Sequence, residues 1–255
     1  ADMGWSSDSI DLDDWMKIYC EARYGGYPDA MEEAWKLFRK TAYSSLYSYP
    51  RFTWQTVIPD QRRISKIDLS DDYLQAIRLY ASCADELKSS ELYRNDLIEF
   101  VSYYVAAKAE NFYKQALKDD SENRVLAAQR NLQQTVDLLM DVDRLLASHP
   151  LYRLEEWVEL ARNSGTTLQE KDAYEANAKR LITSWGGIQE DYAARFWSGL
   201  IKDYYIPRIQ LYFTKDRNKI REWEEQWITS PWSNSTTPFD DPVEAALSLI
   251  EKTNK

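Results

Sequence analysis

Glycine is scarce in this chain: seven residues in 255, beside eight prolines. Average usage is about 7% for glycine, so the turn chemistry of a many-stranded β protein is missing and helix is favoured. Two cysteines, Cys20 and Cys83, make no disulfide framework. The sole histidine, His149, cannot build the usual zinc site with two distant cysteines, and no nucleophile signature stands near it for a Ser-His-Asp triad. No metal and no cofactor is implied. No apolar run approaches the roughly 18 residues that span a membrane. The start, Ala1-Asp2-Met3-Gly4-Trp5, has neither the basic end nor the apolar core of a signal peptide, as in a mature chain or an excised piece. Positive charge is in deficit, with 32 Lys and Arg against 42 Asp and Glu and a net charge of −10. Short basic runs such as Gln61-Arg62-Arg63 form no stripe, which argues against nucleic acid as a partner.

What the chain does have is aromatic residues, 10 Trp, 18 Tyr and 7 Phe, set in helical periodicity. The spacing predicts helices at about 13–22, from Pro28 through Ala42, from a Ser70 cap through Ala84, over 92–117, and from Ser121 to Leu146. Further helices are expected over 154–162, over 168–183 behind a Thr167 cap, over 219–228, and from Pro242 onward. Tyr43 to Leu69 reads as a long aromatic loop that contacts something, and Ser230 to Pro238 as a loop. No fixed-period repeat appears, which argues against a repeat solenoid. The fold class is therefore all-α: a single irregular helical-bundle domain over 1–255, of about nine or ten helices.

The densest stretch is Tyr174 to Phe213. It reads as two helices broken at Ser184-Trp185-Gly186-Gly187. The second carries Tyr192, Phe196, Leu200, Tyr204 and Ile209 on one face, with Pro207 expected to bend it. Most tryptophans, among them Trp15, Trp35, Trp157 and Trp197, sit at core spacing. Trp185 has no periodic partner after it, so it is a candidate for a pocket wall or interface, followed by Tyr192 and Trp54. Acidic pairs such as Glu32-Glu33, Glu155-Glu156 and Glu224-Glu225 read as solvated helix faces, and none nominates a catalytic acid.

Four segments together resemble the C-terminal helical domain of the α-N-acetylglucosaminidases, glycoside hydrolase family 89. They are Trp15–Tyr43, with Arg23-Tyr24-Gly25, Pro28-Asp29-Ala30 and Ala34-Trp35; Tyr93–Ala116, opening on Tyr93-Arg94-Asn95-Asp96-Leu97; Leu138–Arg162; and the stretch with Trp185-Gly186, Asp191-Tyr192-Ala193 and Tyr204-Tyr205-Ile206-Pro207-Arg208. The resemblance implies an exo-acting, retaining enzyme that removes terminal α-linked N-acetylglucosamine, in a secreted, periplasmic or lysosomal setting. Its partners would be a glycan with that terminus and an upstream β/α barrel, missing here, that supplies both catalytic carboxylates. No catalytic residue is therefore assigned within 1–255, which alone would be inactive. Trp185 and Tyr192 map to the positions that line the substrate pocket. Only Gly187-Ile188-Gln189-Glu190 separate Trp185-Gly186 from Asp191-Tyr192, fewer residues than the family carries. A docking face exposing Trp185 and Trp54 is expected. The alternative is a non-catalytic helical module that binds a protein or glycan surface.

Overall fold

Several helices begin where the sequence sets an oxygen-bearing side chain ahead of an apolar period. The computed structural model describes residues 9–44, 52–56, 70–185, 191, 193–233 and 235–253. Asp11 caps α1 (Leu12–Tyr24) by accepting from the amides of Asp13 and Asp14. Pro28 precedes α2 (Asp29–Lys40). Ser70 caps α3 (Asp71–Ser82) through the Tyr73 amide, and α4 (Ala84–Leu87) follows. α5 (Glu91–Ser121) and α6 (Val125–Leu146) are the two long helices. α7 (Leu154–Asn163) is followed by α8 (Leu168–Leu181), which opens on a reciprocal Thr167–Glu170 capping box. A π-helical turn (Ile201–Tyr205) runs into α9 (Ile206–Tyr212), then come α10 (Arg217–Thr229) and α11 (Pro242–Lys252). Among the described residues the only pairing outside helices is one isolated parallel bridge, Arg153 with Ser198. The all-α expectation holds, with eleven α-helical segments among the described residues, of which α4 and α9 are shorter than eight residues.

Two boundaries differ from the periodic reading. Ser121 does not open a helix; it ends α5, and the chain turns through Asn123 at φ 58° before α6. The second half of the Tyr174–Phe213 stretch becomes helical only at Leu200. Ser198 instead donates its amide to the Tyr152 carbonyl, 2.8 Å, and accepts from the Leu154 amide, 3.0 Å. Gly199 then takes φ 82°, and a Cβ there would lie 3.2 Å from Leu154 Cβ and 3.3 Å from Trp232 Cζ2. Only glycine fits that approach. Pro207 lies just beyond the π turn, where its missing N–H removes an α-helical donor.

The described chain forms two units. In the first (Ala1–Tyr47, Asp68–Val101, Val243–Lys255), α2 packs on α3 around Met31, Ala34, Phe38, Ile77 and Tyr80. Tyr80 stacks on Tyr93 at 4.9 Å, and Phe38 lies 4.5 Å from Phe100. Two of the resemblance segments meet here. Arg23 grips Asp96 with two donors, at 2.7 and 2.5 Å, and the Tyr24 hydroxyl donates to the same carboxylate at 2.6 Å. Gly25 ends α1 at φ 84°, the left-handed stop that glycine permits. Cys20 and Cys83 are both buried free thiols, and burial pushes the Cys20 thiol up to about 12.

In the second unit (Ser48–Ile67, Ser102–Pro242), α6 packs on the π turn, α7 on α8, and α10 on both α8 and α9. Asp143 on α6 is buried and accepts from the amides of Gly199, 2.8 Å, and Lys202, 3.0 Å, so one carboxylate caps the start of the irregular helix. It also accepts from the hydroxyls of Ser198 and Thr236. Asp203, in the π turn, accepts from Trp232 Nε1 at 3.3 Å. Burial, with Asp143 adding to it, raises Asp203 to about 6, although Lys202 and the Trp232 bond pull the other way.

That shift fixes a sign. A carboxyl that holds its proton more tightly folded than unfolded, where about 3.9 is usual, destabilises the fold as pH rises through the interval between the two values and stabilises it as pH falls back. Stability should therefore rise between pH 7 and pH 5, by about 1 kcal/mol from this group, since solvent screens its partly exposed charge. Asp203→Asn, whose amide oxygen still accepts from Trp232, should be more stable than wild type at pH 7 and lose most of the rise. Urea melts at both pH values check this; a parallel rise in the variant would rule Asp203 out as the source.

Candidate functional site

The end of α8 is where the sequence singled out Trp185. Thr183 bonds back to the Lys179 carbonyl through its hydroxyl, 2.7 Å, and Trp185 donates its amide to the Arg180 carbonyl, 2.8 Å. Trp185 sits at φ 51°, in the left-handed region that usually goes to glycine or asparagine just past a helix. A tryptophan there costs about 1–2 kcal/mol, and such strain concentrates at binding sites. The residue is 39% exposed. The structure thus presents Trp185 at the surface of its unit, as the broken periodicity implied.

Six residues on, Asp191 also has a left-handed backbone, φ 59°, and is buried. Its amide donates to the Thr183 carbonyl, 3.1 Å. Trp185 and Asp191 are therefore tied to carbonyls three residues apart, one turn of helix. Tyr192 lies outside the described residues, as do residues 186–190 of the shortened connection, so the structure places only Trp185 of the two pocket residues inferred from the sequence.

The Asp191 carboxylate is held by Arg208 of α9, Nη1 to Oδ1 at 2.8 Å. Arg208 is completely buried. The same nitrogen donates to Glu224 Oε1 on α10, 2.9 Å, and Nη2 donates to the Gln55 carbonyl, 2.7 Å. The guanidinium lies over the rings of Tyr204 and Tyr205, 4.7 and 5.4 Å from their centroids, and the Tyr204 hydroxyl donates to Glu224 at 2.8 Å. Desolvation opposes the charge on Arg208, but Asp191, Tyr204 and Glu224 together outweigh it and hold its pKa well above the ordinary value. Burial raises the Tyr204 hydroxyl well above its usual range. One cation thus ties three separate segments, residues 52–56, the Asp191 turn and α10, onto α9.

Two expectations are corrected here. Trp54 is fully buried, stacked on Phe52 at 4.9 Å and edge-on to Tyr205 at 5.5 Å, so it packs the second unit and offers no docking surface. The described part of the aromatic loop is an inserted plug: the Thr53 amide donates to Glu110 Oε2, 2.8 Å, and the Gln55 carbonyl receives Arg208. Glu224 is not part of a solvated pair; it is buried against Arg208 and Tyr204, while Glu225 stays outside and pairs with Arg180 at 2.7 Å. The Arg208 cluster itself was missed. Its signal was an arginine four residues after Tyr204, on the very face that otherwise reads as apolar. Among the described residues no group of His, Cys, Asp and Glu is placed to hold a metal ion.

The family described as "Alpha-N-acetylglucosaminidase (NAGLU) C-terminal domain" matches residues 15–252. The chain is 29% identical to human alpha-N-acetylglucosaminidase over 285 residues, which covers 99% of this chain and 37% of that protein. Two solved structures share the fold at 23% identity over 98% of this chain and 32% of theirs. One is the family 89 glycoside hydrolase from Clostridium perfringens bound to PUGNAc, TM-score 0.85; the other is that enzyme with GlcNAc-alpha-1,4-galactose, TM-score 0.84. The chain thus spans about a third of the length of the relatives it matches.

Removing one partner from a buried ion cluster leaves an uncompensated charge and typically costs about 3–5 kcal/mol. Arg208→Met should destabilise the protein by that amount, and Arg208→Lys by less, because an ammonium cannot serve Asp191, Glu224 and the Gln55 carbonyl with one planar fork. Chemical denaturation checks both; a loss below about 1 kcal/mol in Arg208→Met would mean that the cluster does not hold the segments together.

Proposed function

Because the chain belongs to the family of the α-N-acetylglucosaminidase C-terminal domain, we propose that residues 1–255 form the helical C-terminal domain of an exo-acting, retaining enzyme that cleaves terminal α-linked N-acetylglucosamine. The observation that carries this reading is Trp185: an exposed indole on a strained backbone whose amide is bonded to the end of α8. A ring face held in that way excludes water from the C–H surface of a sugar. Tyr192, directly after the buried Asp191, would offer its hydroxyl as one hydrogen bond at the rim. Rigid anchoring matters because a wall that must order on binding gives back affinity as lost entropy.

The catalytic carboxylates belong, in this reading, to a β/α barrel outside these residues, which packs on this domain. The state of the buried acids here supports that. Glu110, Asp143, Glu175, Asp191 and Glu224 are each engaged by backbone amides, hydroxyls or cations within the fold. A pair working as nucleophile and acid would need to face a cleft about 5–5.5 Å apart. Among the described residues no helix is long and apolar enough to cross a membrane. A secreted, periplasmic or lysosomal setting is part of the proposal, and the stability expected to rise toward pH 5 suits an acidic compartment.

The experiment compares the 255-residue chain with a longer chain that carries the upstream barrel, both assayed with an aryl α-N-acetylglucosaminide. Activity should appear only in the longer chain. There Trp185→Ala should lower kcat/KM about 10–100-fold, mostly through KM, and Trp185→Phe should recover part of it. Trp185→Ala within about twofold of wild type would refute the pocket-wall reading. Absence of activity in both chains, with each folded, would favour the interaction module.

A further inference from the structure

At the other end of α8 lies a second feature that the Trp185 turn does not explain. α8 has 14 residues, so its first turn and its last are about 20 Å apart. Beside the first turn is a cavity of about 680 Å³ between α7, the start of α8 and the loop after α10. That volume falls in the roughly 300–1,000 Å³ range of small-ligand sites.

The loop wall of this cavity is pinned by buried groups. The Ser230 carbonyl accepts from Lys179 Nζ at 2.5 Å, and the Trp232 amide donates to Glu175 Oε1 at 2.5 Å. Lys179 and Glu175 are themselves a buried pair, 3.2 Å apart. Trp232 Nε1 donates to Asp203, the ring edge lies against Gly199, and the Thr236 hydroxyl donates to Asp143. Burying a lysine and a glutamate is costly until their attraction and further hydrogen bonds offset it. Here that pair fixes the position of an indole at the mouth of a cavity. The wall is therefore preformed, and a ligand would not have to order it.

The lining defines the ligand chemistry. Glu159, Asn163, Lys171, Ser233 and Ser235 line the cavity, and their side chains make no hydrogen bond or ion pair among the described residues. They supply acceptors, donors and groups that are both. The apolar elements are the part-buried Trp232 with Val158 and Leu168. The four ionisable lining groups, Glu155, Glu159, Arg162 and Lys171, balance to zero, with Arg162 already held by Asp172 and Glu175. Zero net charge is poor for a phosphate or sulfate, which requires clustered cations. Among the described residues no strand edge borders the cavity for an extended peptide to pair with. A fixed aromatic ring amid mixed donors and acceptors of no net charge suits a molecule with one C–H face and a rim of hydroxyls.

We propose that this cavity binds a neutral oligosaccharide of about two or three rings, with one sugar lying against Trp232 and its hydroxyls shared among Glu159, Asn163, Lys171 and the two serines. The test titrates the full chain by calorimetry with chitotriose and maltotriose, and with N-acetyl-trialanine amide as the peptide counterpart. At least one saccharide should bind, with a Kd on the order of 0.1–1 mM. Trp232→Ala should weaken it about tenfold or more. Because that change also removes a loop anchor, the surface variant Asn163→Ala/Lys171→Ala, which touches no anchor, should weaken binding to a similar degree. Trp185→Ala should leave it unchanged, which separates this cavity from the turn at the other end of α8. Three outcomes would overturn the proposal: no saccharide binding up to about 10 mM, undiminished binding in the surface variant, or a preference for the tripeptide.

Discussion

The second unit depends on one buried cation. Arg208 sits inside an aromatic stripe, where its charge is costly, and that cost is offset only because two carboxylates, a carbonyl and two ring faces converge on it. The convergence has a structural consequence. Glu224 comes from α10, Gln55 from the inserted segment and Asp191 from the turn after α8, so each must be in place for the guanidinium to be satisfied. An apolar residue of similar volume would fill the space without selecting which segments come together. We read the cluster as a device for specificity of arrangement, and the arrangement it selects is the one that ties Asp191 to the end of α8.

The same principle recurs at smaller scale. Asp96 gathers Arg23 and Tyr24, Asp143 gathers the start of the π turn and Thr236, and Glu175 gathers Lys179, Arg162 and the Trp232 amide. In each case a buried or largely buried acid receives several donors, some from segments far away in the chain. Helices supply the framework, but irregular segments are held by these acids. That explains how a chain with seven glycines can still support tight connections: left-handed backbone is adopted by Asn123, Trp185, Asp191 and Lys215 as well as by glycine.

Much of the fold was legible because period and caps agreed. Ser70 and Thr167 were read as helix caps from residue type and position, and each makes the expected bond. The landmarks that carried the family resemblance prove to be contact pairs: Arg23-Tyr24 with Asp96, and Asp191 with Arg208. What sequence could not show was partnership over distance. Trp54 and Glu224 look like surface residues in a local window, and only contacts more than a hundred residues away or across helices bury them. The stretch before Leu200 carries a helical period that tertiary pairing overrides, since Ser198 bonds to the chain around Tyr152. Trp185 was legible for the opposite reason: it breaks its period, and the structure exposes it.

The central claim is that the buried cluster serves the binding wall through the turn it anchors. A double-mutant cycle in the longer, active chain tests this directly, with Trp185→Ala and Arg208→Lys combined and kcat/KM measured for each of the four proteins. If Arg208 acts through the Trp185 turn, its substitution should have little further effect once Trp185 is gone, and the cycle should show a coupling of about 1 kcal/mol or more. Strict additivity, within about 0.5 kcal/mol, would mean that the cluster and the exposed indole serve separate ends, and would contradict the account.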